Sequence, residues 1–135
     1  VTRKEQREHV FKLVFELEFH SNGEIPEQQQ EYFFSLGEVD SQEAQVIQEK
    51  AQAVATKVSE IDELLNTKTA GWKTGRMNKV DLAILRLAVY EMLYDEEVPE
   101  KVAINEAVEL AKKYSGGDGP AFINGVLAKF TKERE

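Results

Sequence analysis

The chain contains no cysteine, which excludes disulfide cross-links, thiolate-bound zinc and a cysteine nucleophile, and permits a reducing compartment. Histidine is almost as scarce, with only His9 and His20. Eleven residues apart, the two return to nearly the same face of a straight helix but about 16 Å apart along its axis, too far to share one metal ion. No apolar run approaches the roughly 20 residues a membrane helix needs, and no charged-then-apolar signal segment opens the chain. A soluble, cytoplasmic protein is therefore expected. A His-Glu-x-x-His element, a Walker-type glycine loop, a nucleophile elbow and a dinucleotide fingerprint are all lacking. Gly116-Gly117-x-Gly119 has neither a preceding strand nor a following Lys-Ser or Lys-Thr, so it reads as a turn and not as a phosphate cradle. This inventory predicts no catalysis and no cofactor.

What is present points to one all-α domain of 135 residues, 41% of them hydrophobic, enough to bury a core. Helical periodicity dominates, and no stretch alternates as a half-buried strand does. Thr2 with Glu5 fits a capping box that starts a helix running to about Phe19, apolar on most sides in its second half. Pro26 suits the start of a second helix that Gly37 can end. Asp40 or Ser41 caps a third, with Ala44, Ile47, Ala51, Val54, Ala55 and Val58 on one face, and Ser59 with Asp62 is expected to restart the chain as a short fourth. After a break over 69–75, a strongly apolar helix runs from about Asn78 to Tyr94. A sixth helix carries Ile104, Ala107, Val108, Ala111 and Tyr114, with Asn105 and Glu106 expected at its start, and a seventh opens at Pro120. In the last helix, Asn124-Gly125 reads as a site of close helix packing.

The net charge of −8 argues against a polyanionic partner until its distribution is considered. Thr2 to Lys12 carries four bases against two acids, Glu16 to Glu63 twelve acids against Lys50 and Lys57, and Leu64 to Tyr90 five bases against Asp81 alone. A basic surface can thus sit on an acidic protein, or these can be ordinary charged helix faces. Three places invite a binding reading. Arg3, Lys4 and Arg7 share one helix face and can contact adjacent phosphates, or form a solvated first turn. Asp118 can accept from a base and Phe122 can stack on one, or the first caps the helix and the second is core. Arg86, the only charge among the apolar residues from Leu82 to Tyr90, must reach solvent, hold a phosphate, or pair with Glu91 or an acid of a neighbouring helix.

Longer ordered strings carry a family resemblance. Val102-Ala-Ile-Asn-Glu-Ala-Val-Glu-Leu-Ala111 and Phe122-Ile-Asn-Gly-Val-Leu127, preceded by Val80-Asp-Leu-Ala-Ile-Leu-Arg-Leu-Ala-Val-Tyr-Glu91, resemble the NusB family of transcription antitermination factors, with a weaker match at Arg3 to Glu8. The resemblance implies two small packed helical bundles, with which the count of about seven helices is compatible, and a non-enzymatic RNA-binding adaptor. Its implied partners are boxA-type single-stranded RNA, the small-subunit ribosomal protein NusE, and the RNA polymerase antitermination complex that reads through ribosomal RNA operons. Both monomers and homodimers occur in the family. The resemblance favours RNA contact at Arg3, Lys4 and Arg7 and at Asp118 and Phe122, with Arg86 a secondary candidate. Glu5, Gln6 and Pro120-Ala121 depart from the family's more basic pattern at these places and imply fewer phosphate contacts. One alternative is an interaction-only helical module like the NusB-like N-terminal domain of ribosomal RNA cytosine methyltransferases. Another is a small enzyme using acids such as Glu91, Glu106 or Asp118.

Overall fold

Local capping starts the first helix. In the computed structural model, which describes residues 2–19, 39–69 and 73–131, the Thr2 hydroxyl accepts from the Glu5 N–H at 3.0 Å. The Glu5 carboxylate accepts in return from the Thr2 N–H at 3.0 Å, completing the expected capping box. Helix α1 (Arg3–Glu16) ends in a 3-10 turn, Leu17–Phe19. Val10, Phe11, Leu13, Val14 and Leu17 are buried, but Phe19 is 58% exposed, so the buried part stops a turn short of the expected end.

Asp40 repeats the device for α2 (Ser41–Lys68), accepting from the Glu43 N–H at 2.8 Å. The sequence predicts two helices here, broken at Ser59. They are one, for two physical reasons. No glycine or proline interrupts 41–68, and the buried positions Ile47, Ala51, Val54, Ile61 and Leu65 keep a helical period straight through Ser59. Asp62, the residue expected to complete a cap with Ser59, is instead committed to Arg86. The helix expected from Pro26 to Gly37 lies outside the described residues, which hold five α-helices and no strand. The all-α class is as expected.

The chain divides into two compact units, Val1–Thr56 and Lys57–Glu135. In the second, Asn78 caps α3 (Lys79–Tyr94) by accepting from the Asp81 N–H at 2.8 Å. Every residue from Asp81 to Val89 is buried, and α3 packs against both α4 (Glu100–Tyr114) and α5 (Gly119–Ala128), which also pack on each other. It is the buried axis its all-round apolar sequence predicts. Helix α4 starts at Glu100 behind Pro99, so Asn105 lies in its second turn, exposed, and does not cap it. No helix among the described residues is long and apolar enough to cross a membrane.

Candidate nucleic-acid interface

The N-terminal candidates occupy the first two turns of α1. Arg3 and Lys4 are exposed and Arg7 is part-buried. Positive charge at a helix N-terminus opposes the backbone dipole, so helix stability does not account for Arg3 and Lys4. Glu5 offsets part of that charge. The Thr2 backbone N–H donates to the Glu5 carboxylate, and this bond, with a smaller influence from the Thr2 side chain, holds the Glu5 pKa below the ordinary glutamate value.

Asp118 and Phe122 bracket the first turn of α5. The turn before it is built by Gly117, which takes a left-handed φ of 55° that side chains disfavour, and is closed by the Gly119 N–H donating to the Gly116 carbonyl at 3.0 Å. Asp118 occupies the cap position, but only its backbone is used: its carbonyl accepts from the Phe122 N–H at 2.9 Å, and its side chain makes no cap hydrogen bond. The carboxylate is exposed, and Phe122, four residues on and therefore on the same helix face, is only part-buried. The Asp118 side chain is therefore not spent on the capping role that spacing alone favours.

Two contacts fix this turn against the core. A Cβ added at Gly119 would lie 2.0 Å from the Ser115 Oγ and 2.6 Å from the Ser115 Cβ, so only glycine lets the end of α4 and the start of α5 approach this closely. The same Cβ position lies 3.7 Å from Oδ1 of Asp81. Asp81 is buried beside the start of α5; its Oδ2 accepts from the Asn78 side-chain amide at 2.9 Å, while Oδ1 has no hydrogen-bond partner among the described residues. A carboxylate there favours the positive end of the α5 dipole.

Arg86 lies elsewhere, on α3. It is 7% exposed, and its Nε and Nη2 donate to the two carboxylate oxygens of Asp62 at 2.9 and 2.6 Å. The pairing is with an acid of a neighbouring helix, and its forked geometry is the one guanidinium and carboxylate groups favour. Arg3, Lys4 and Arg7 belong to the first compact unit; Asp118, Phe122 and Arg86 belong to the second.

The structure also presents a feature absent from the sequence reading. Between α4 and α5 runs an open groove of about 510 Å³, lined by Asn105, Val108, Glu109, Lys112, Pro120, Ala121 and Asn124. Asn124 and Gly125, expected at a tight helix contact, are exposed, and a Cβ at Gly125 would meet nothing within 4 Å. The motif faces outward because Ile123, Val126 and Leu127 take the inner face of this short helix. Exposed asparagines on two adjoining helices were the available signal, and only the packing of α4 on α5 brings them to one groove.

Comparison with known proteins is consistent with this helical frame. The NusB family model matches residues 4–132. The transcription antitermination protein NusB of Agathobacter rectalis is 51% identical over 130 residues, covering 96% of this chain and 99% of its own length. That of Lachnoclostridium phytofermentans is 47% identical, covering 96% and 98%. A solved structure of T. maritima NusB superposes with a TM-score of 0.82 at 30% identity, covering 98% of this chain and 92% of its own. With a matching family model, relatives alike along nearly their whole length and the same helical fold, this chain belongs to the NusB family of transcription antitermination proteins.

Proposed function

We propose that the whole chain acts as one non-enzymatic, cytoplasmic RNA-binding adaptor. With NusE it recognises a boxA-type single-stranded element and helps RNA polymerase read through terminators, notably in ribosomal RNA operons. The observation that carries this reading is the start of α5, where an exposed carboxylate unused in capping sits four residues from a part-exposed aromatic ring. An acceptor for base amino or imino groups beside a stacking platform is the chemistry of single-stranded RNA recognition. Arg3, Lys4 and Arg7 supply phosphate contacts, with Glu5 limiting their strength. A modest RNA surface gains affinity when a bound partner contributes a second one, because the later contact becomes effectively intramolecular. In this reading Arg86 is engaged by Asp62 of α2 and makes no direct RNA contact. The methyltransferase-type interaction module has no observation of its own in its favour.

The test is the effect of Asp118→Ala and Phe122→Ala on binding of fluorescent boxA-type RNA. Removal of a stacking ring should cost about 1–3 kcal/mol of RNA affinity, while Arg3→Ala should weaken all RNAs alike and flatten the salt dependence. Unchanged affinity for both α5 variants would refute the assignment.

A further inference from the structure

We infer that the α4–α5 groove is a second base subsite, which takes the nucleotide next to the one at Asp118 and Phe122; the inference rests on the RNA-binding reading above. The groove has the chemistry of a pocket for a neutral, flat, polar-edged group. Its apolar surface comes from Val108 on α4 and Pro120 on α5, against which the face of a base can lie. Asn105 and Asn124 stand on its two walls, one from each helix, and among the described residues neither side-chain amide is engaged. Each amide offers both a donor and an acceptor, the combination needed to read the edge of an unpaired base.

Charge selects the base over the phosphate. The charged groups lining the groove are Glu109 and Lys112, and they neutralise each other through a 3.0 Å ion pair. An isolated phosphate would gain little there. Position links the groove to the proposed RNA contacts, since Pro120 belongs both to its wall and to the turn of α5 between Asp118 and Phe122. A strand crossing that turn can therefore place one base at Asp118 and Phe122 and its neighbour between the two asparagines.

The experiment uses the full chain carrying Asn105→Ala with Asn124→Ala, titrated against a fluorescent boxA-type RNA, a scrambled RNA, and a series in which each base of the boxA-type RNA in turn is removed to leave an abasic sugar. Losing two neutral hydrogen-bonding amides, the double variant should lose about five- to a hundredfold in affinity for the boxA-type RNA, keep its weak binding to the scrambled RNA, and melt as the parent does because both residues are exposed. It should also become insensitive to base removal at one position, adjacent to the position at which Phe122→Ala becomes insensitive. If Phe122→Ala weakens binding and the asparagine variant does not, the groove inference is overturned and the RNA-binding reading stands. If the parent chain shows no preference for the boxA-type RNA, both fall. If the asparagine variant binds RNA normally but no longer binds purified NusE, the groove is a protein-docking surface and the inference is again overturned.

Discussion

Replacing Gly119 by alanine should disturb the turn that carries Asp118 while adding a single methyl group. The new Cβ would start 2.0 Å from the Ser115 Oγ and 2.6 Å from the Ser115 Cβ. The hydroxyl can rotate away, but the Cβ is fixed to the end of α4. It must retreat from 2.6 Å toward the 3.4 Å at which ordinary contact begins, a backbone shift of about 0.8 Å. Overpacking of this kind costs about 1–3 kcal/mol, and for a chain of 135 residues each kcal/mol lowers Tm by roughly 3–5 °C. Thermal and urea denaturation followed by circular dichroism reads the loss. Ser115→Gly removes both crowding atoms, so combining it with Gly119→Ala should restore most of the stability, giving a coupling energy of about 1 kcal/mol or more. RNA affinity should fall in the single variant and recover with the double. A Gly119→Ala protein within about 0.5 kcal/mol of the parent, or two strictly additive substitutions, would show that the close approach does not hold the turn.

Asp62→Ala removes a paired carboxylate from Arg86, a residue only 7% exposed. Because the Asp62 side chain keeps 22% exposure, the cost should be about 2–4 kcal/mol, below the upper range for fully buried pairs. Asp62→Leu with Arg86→Met should regain most of that loss, and RNA binding by the folded Asp62→Ala protein should be unchanged; a selective loss of RNA affinity would return Arg86 to the RNA surface. The capping carboxylates set an acid limit. Hydrogen bonds from the backbone N–H groups of Thr2 and Glu43 lower the pKa values of Glu5 and Asp40, respectively. A depressed carboxylate pKa means that the unfolded chain binds the proton more readily, so this stability is present at neutral pH and lost as pH falls through the lowered values. Glu5→Ala, which removes one of these carboxylates, should lower stability at pH 7 and have less effect in acid, a convergence that urea titrations at a series of pH values would reveal or deny.

The parts of the fold legible in the sequence are those set within a few residues. Thr2 and Glu5 are three apart, so their spacing identifies one helix start, while Asp40 and Asn78 are legible only as cap-forming residue types near two others, whose N–H partners Glu43 and Asp81 the structure supplies. Ser59 with Asp62 has the same spacing and misleads, because Asp62 has a competing use 24 residues away at Arg86. The difference lies in tertiary packing, which local pattern does not contain. Likewise the spacing of Asp118 and Phe122 places them on one face of α5, but not whether the carboxylate is spent on its own cap. Gly119 is legible as a turn residue; its contact with Ser115 is not, since it depends on how tightly α4 and α5 close. Asn105 and Asn124 meet only through that same closure.

The proposed role stands on selective RNA recognition strengthened by NusE. Its most direct test is the affinity of the full chain for boxA-type and scrambled fluorescent RNAs, with and without purified NusE, over a salt series. Binding should favour the boxA-type RNA, tighten with NusE and weaken as salt rises. Equal, weak binding of both RNAs at every NusE concentration would contradict it.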